Sequence, residues 1–90
     1  MKLTRFWFEF DRESLPTGLG IGLGCGVTAW NYDDAVNILK EKIFQDMPFP
    51  EINKLKENVD VSTLDEGHVL PNMLPTSDRG IWYPIGYGIY

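Results

Sequence analysis

His68 is the only imidazole in this chain, set between Gly67 and Val69, with Asp65 and Glu66 just before it and Ser62 and Thr63 a few residues upstream. Those residue types suit hydrolytic chemistry, in which a histidine takes a proton from a hydroxyl nucleophile and a carboxylate orients the ring. The context does not develop that chemistry. Ser62 is not embedded in a Gly-x-Ser-x-Gly elbow, and no second histidine completes an acid–base pair. A lone loop histidine more often organises its loop by hydrogen bonding, and the sequence predicts no catalytic residue. A small hydrolase using His68 with Ser62, Thr63 or Asp65 stays as the alternative.

The other chemistry-bearing types are no more productive. Asp60, Asp65 and Glu66 lack the spacing of a calcium loop, and one histidine with the single distant Cys25 does not make a transition-metal site. No metal and no cofactor is expected. Thr63-Leu-Asp-Glu66 matches a helix capping box, a structural use of the same residues. Cys25 excludes an internal disulfide and falls on the apolar parity of its segment, so it reads as an inert core thiol. Glycines between Gly18 and Gly26 recur at every second position, which fits neither Gly-x-Gly-x-x-Gly nor a phosphate-cradling loop. Asp33 and Asp34 would also open the following helix with negative charge, where a phosphate would have to sit.

Charge narrows the partners. The chain carries 13 carboxylates against 8 lysines and arginines, a net charge of −5. Lys40, Lys42, Lys54 and Lys56 are interleaved with Glu41, Glu51 and Glu57, so no basic stripe exists to displace counterions from a nucleic acid or an anionic membrane. A basic protein is the natural complement. No signal segment opens the chain and no apolar stretch is long enough to span a bilayer, so a cytoplasmic location is expected by default.

The elements that would position these residues follow from periodicity. Ninety residues make a single domain, 1–90, and 43% apolar with 13% aromatic content is enough for a core. Residues 2–10 alternate as a strand, with Phe6, Phe8 and Phe10 on one face and Arg5, Trp7 and Glu9 on the other. Leu19, Ile21, Leu23, Cys25, Val27 and Ala29 alternate with glycines, Thr28 and Trp30. That pattern predicts a strand whose bare face admits a large ring such as Trp7, unless the first half is a loop. Residues 32–45 read as the one good helix, capped by Asn31, with Ala35, Ile38, Leu39 and Ile43 in an apolar stripe. Residues 51–58 suit a short helix or a strand, and Val59 to Thr63 suits a short strand. Residues 64–79 form a long turn-rich connection of a kind that is often functional. The alternation of Ile81, Tyr83, Ile85, Tyr87 and Ile89 predicts a last strand, which Pro84 confines to a sheet edge. The fold class is therefore α+β: an antiparallel sheet of three to five strands with one main helix packed on one face.

Four segments together carry a family resemblance: Gly26-Val-Thr-Ala-Trp-x-x-Asp-Asp-Ala, Val59-Asp-Val-Ser-Thr-Leu-Asp, His68-Val-Leu-Pro-Asn-Met and Arg79-Gly-Ile-Trp-Tyr-Pro. From about Phe6 to Pro84 the chain resembles short, largely uncharacterised bacterial proteins that look like immunity proteins of contact-dependent and other polymorphic toxin systems. The resemblance implies a one-to-one heterocomplex with a cognate toxin, often a basic nuclease, that blocks its active site or substrate surface. In that reading Asp60, Asp65, Glu66 and Asp78 face basic toxin residues. Trp82 and Tyr83, with Tyr87 beyond them, supply packing area, since interface hot spots favour such rings. Trp30 and the Arg5, Trp7 and Glu9 face are further surface candidates. A self-associating subunit, joined through the C-terminal edge strand, is the remaining rival.

Overall fold

The computed structural model describes residues 2–14, 23–64, 66, 67 and 69–84. Strand β1 (Thr4–Phe10) pairs with β2 (Cys25–Ala29) on one side and β3 (Ile52–Glu57) on the other, and β4 (Gly80–Tyr83) pairs with β2. All pairings are antiparallel, so among the described residues the sheet runs β3-β1-β2-β4, with β3 and β4 at its edges. Helix α1 (Tyr32–Leu39) continues into a π-helical turn, Lys40–Phe44. This is the α+β arrangement that the periodicity predicts, and the ambiguous residues 51–58 resolve as strand.

Alternation in β1 sorts the sheet into two faces. Phe6, Phe8 and Phe10 join Cys25, Val27, Ala29 and Ile81 beneath the helix residues Ala35, Ile38, Leu39, Ile43 and Phe44. The i→i+5 turn advances less angle per residue than an α-helix, which lets Phe44 follow Ile43 into the core. There Phe44 meets Phe10 and Phe49 edge-on at ring separations of 5.6 and 5.3 Å, the geometry aromatic quadrupoles favour. Asn31 caps the helix as its sequence position suggests, its side-chain oxygen accepting the Asp34 N–H at 2.8 Å.

The opposite face is covered too, and by irregular chain. Trp7, Val59, Leu64, Val69, Trp82 and Tyr83 form a second core, with Val61, Leu70, Met73 and Leu74 packed against it. The turn-rich connection thus acts as a layer of the fold. It is stitched to the sheet where Leu74 N–H donates to the Trp82 carbonyl (2.8 Å) and the Thr28 hydroxyl donates to the Thr76 carbonyl (2.7 Å).

Three local expectations are corrected. Val59 to Thr63 is not a strand: Asn58 turns left-handed (φ 54°), and Asp60 then caps a 3-10 turn, Val61–Thr63. Only Val59 clings to the sheet edge, exchanging hydrogen bonds with Arg5. Leu23 is not in the core but 39% exposed, because Gly24 at φ 129° ends the extended run before Cys25. Residues 18–22 of the glycine run lie outside the described residues. Finally, Ile81 and Tyr83 do not share a face. Val27 faces Ile81 while Gly26 faces Tyr83, so Trp82 is the extra residue of a β-bulge, and Trp82 and Tyr83 both turn toward the second core.

The glycine face behaves as its bareness predicts, with one ring more than expected. A Cβ on Gly24 would stand 2.7 Å from the Trp7 ring and 2.6 Å from the Phe8 carbonyl. A Cβ on Gly26 would enter the six-membered ring of Trp82. Trp7 and Trp82 then stack on each other at 5.9 Å.

Candidate interaction surface

Of the residues expected to meet a partner, the structure separates the charged from the aromatic. Asp60, Glu66 and Asp78 are exposed. Trp82 and Tyr83 are not: they are 1% and 7% exposed and belong to the second core. Their assignment as partner-packing residues is corrected, because the bulge at Trp82 aims both rings at Trp7 and the covering loop. Asp65, Tyr87 and His68 lie outside the described residues. Of the Arg5, Trp7 and Glu9 face, only Trp7 is buried, and Arg5 and Glu9 are tied to their surroundings by hydrogen bonds. Trp7 is buried and donates its indole N–H to Glu9 Oε2 at 3.0 Å, while Arg5 Nε donates to the Val59 carbonyl at 3.0 Å. Beside them an open hollow of about 250 Å³ remains, lined by Trp7, Glu9, Lys56, Thr63 and Leu64 among others.

Ser62 and Asp60 show why a serine and a carboxylate can sit together for structural reasons. Asp60 Oδ1 accepts both the Ser62 N–H (3.0 Å) and the Ser62 hydroxyl (2.7 Å), closing the turn that ends the sheet edge. These bonds hold the Asp60 carboxyl below the usual aspartate range, so it stays ionised. Cys25 lies fully inside the helix-side core, and burial pushes its thiol well above the normal range, as suits an unreactive core residue. Among the described residues no three His, Cys, Asp or Glu side chains are placed to hold a metal ion. Among the same residues, no helix is long and apolar enough to cross a membrane.

A corner that sequence reading singled out only in part is built around Asp34. Its Oδ1 takes Arg79 Nη2 at 2.5 Å, and its Oδ2 takes Arg79 Nε at 2.9 Å. The same Oδ2 accepts the backbone N–H of Trp30 at 3.0 Å. One carboxylate therefore fastens β4, the first turn of α1 and the end of β2 together. The guanidinium fork, aided by the Trp30 N–H, draws the Asp34 carboxyl below its usual range, and Arg79 is raised in return. On this fastened corner Trp30 is 44% and Tyr32 42% exposed, the most exposed large rings among the described residues. The Tyr32 ring lies tilted beside Phe8, at 6.2 Å between centroids. Sequence spacing gives Asn31 as the cap and puts Asp34 in the first turn, but a bond to Arg79, forty-five positions away, has no signal in it.

Comparison of the chain with protein-family models, with curated proteins and with solved structures finds no match. The surface has to speak through its own chemistry. After Glu57 the chain carries four carboxylates, Asp60, Asp65, Glu66 and Asp78, and one cation, Arg79. That cation is committed to Asp34. Asp60, Glu66 and Asp78 therefore present negative charge and hydrogen-bond acceptors to solvent.

Proposed function

We propose that this protein is a stoichiometric inhibitor of the immunity type, which binds a basic bacterial toxin, of nuclease character, and occludes its active or substrate-binding surface. The observation that carries the reading is the acidic outer layer formed by the loop after β3, whose only basic side chain is neutralised internally by Asp34. Like charges on a nucleic-acid substrate and on this layer would compete for the same cationic groove of such a toxin, so occlusion needs no catalytic group. A second core beneath the loop supports the reading, since it gives that charged layer a rigid base. The resemblance of the four sequence segments to immunity proteins points the same way.

The test is co-expression with the product of the neighbouring gene in a growth assay. Protection, together with a one-to-one complex on size exclusion, is the expected result. The triple charge reversal Asp60→Lys, Glu66→Lys, Asp78→Lys should abolish protection while leaving the thermal transition in place. Growth arrest unrelieved by the wild-type chain, with no complex formed, overturns the proposal.

A further inference from the structure

We propose that Trp30 and Tyr32 form the aromatic anchor of the interface, taking an arginine or lysine side chain from a basic protein segment. The inference rests on the toxin-binding reading for the partner's charge but names a different part of the surface from the loop carboxylates. Three observations carry it.

The first is exposure without looseness. Trp30 shows 44% of its surface, yet its backbone N–H is held by Asp34 Oδ2, and the next residue, Asn31, is fixed as the helix cap. A large ring on a pinned backbone loses little freedom on binding, which is what distinguishes an anchor from an incidental exposed side chain. The second is location. Trp82 and Tyr83, which composition alone would favour as interface rings, are buried, and among the described residues the exposed large rings are Trp30 and Tyr32. Trp, Tyr and Arg are the side chains most enriched at binding hot spots, and Arg79 is bonded to the same Asp34 carboxylate that holds the Trp30 N–H.

The third is charge, which selects the occupant. Asp34 and Glu41 act on Arg79, Asp78 precedes it in the chain and Asp33 precedes Asp34, so carboxylates outnumber the guanidinium at this corner. A second copy of this chain, docking face to face about a two-fold axis, would set those carboxylates against their own counterparts. Anionic lipid and nucleic acid are repelled for the same reason. A cationic side chain gains from both features, because it can lie over the indole face and be attracted by the flanking carboxylates.

The experiment uses ¹⁵N-labelled full-length protein and three peptides at physiological salt: octa-arginine, octa-lysine and octa-glutamate. The three indole N–H signals separate the sites, because Trp7 is bonded to Glu9 and Trp82 is buried while Trp30 is exposed. Saturable movement of the Trp30 indole signal and the Tyr32 ring signals with octa-arginine is expected, without response to octa-glutamate. Trp30→Ala should weaken octa-arginine binding about tenfold and leave the unfolding midpoint unchanged. Binding that leaves Trp30 unmoved, or a Trp30→Ala variant that binds as tightly as wild type, overturns the anchor. Absence of octa-arginine binding overturns it as well. The neutralising function is read separately, by protection in co-expression. Protection without octa-arginine binding discards the anchor alone, and octa-arginine binding at Trp30 without protection keeps the anchor and discards the toxin reading.

Discussion

At the scale of single residues, the tightest constraint is at Gly26. Its position leaves no room for a methyl group because the Trp82 ring occupies that space. Gly26→Ala should therefore force Trp82 off its site and cost about 1–3 kcal/mol, the usual range for overpacking. Urea unfolding measures this directly, and an unchanged midpoint would show that the ring is not packed as described. Asn31→Ala removes the acceptor of the Asp34 N–H and should cost about 1 kcal/mol. Both positions are visible in sequence, but for different reasons. Asn31 announces itself because a cap is a local device read within four residues. Alternating glycines announce a bare face, while the identity of the second ring laid on it depends on β4, more than fifty residues away.

Between elements, the Asp34–Arg79 fork ties the start of α1 to β4 across the end of the sheet. It is partly exposed, so its own contribution should be small: Arg79→Ala is expected to cost at most about 1 kcal/mol. The pH dependence has a definite sign. Asp34 titrates lower in the folded chain than in the unfolded one, so its contribution is fully present above the ordinary aspartate value near ~3.9 and is lost as pH falls through the lowered folded value. Thermal melts of wild type and Asp34→Asn should thus differ by a constant amount from neutral pH down to about pH 5, and converge in more acidic solution. A difference that instead grows on acidification would contradict the assigned bonds. Arg79 and Asp34 could not be paired from sequence, because charged pairs of this kind have no periodicity. The helix itself could, since its apolar stripe and cap are regular.

For the molecule as a whole, two cores flank one sheet, and the loop layer contributes to stability as much as to surface. Leu64→Ala should cost about 2–5 kcal/mol, a large share of the roughly 5–15 kcal/mol by which domains are stable. A surface loop leucine would cost a few tenths, and a loss that small in denaturant unfolding would refute the second core. Association with a cationic partner should weaken as salt is raised, because the carboxylates involved are exposed and screened. Binding insensitive to ionic strength would point to an apolar interface instead.

What the sequence determined by itself was the uninterrupted short-range repetition in β1, in β2 from Cys25 on, and in α1. Alternation placed β1 and the Cys25, Val27 and Ala29 face of β2, the 3.6-residue stripe placed α1, and Pro84 put β4 at an edge of the sheet formed by the described residues. It also set the acidic balance, a net charge of −5. Which rings face solvent was left to tertiary structure. A bulge at Trp82 changed the facing of Tyr83, and Asn58 with Asp60 turned a strand-like run into a loop cap. Each of these is a one-residue event that reverses the side-chain direction of everything after it, and period-two reasoning has no means of locating it. The inward facing of Tyr83 follows from such an event, whereas Trp30, a surface candidate from its sequence position, is exposed.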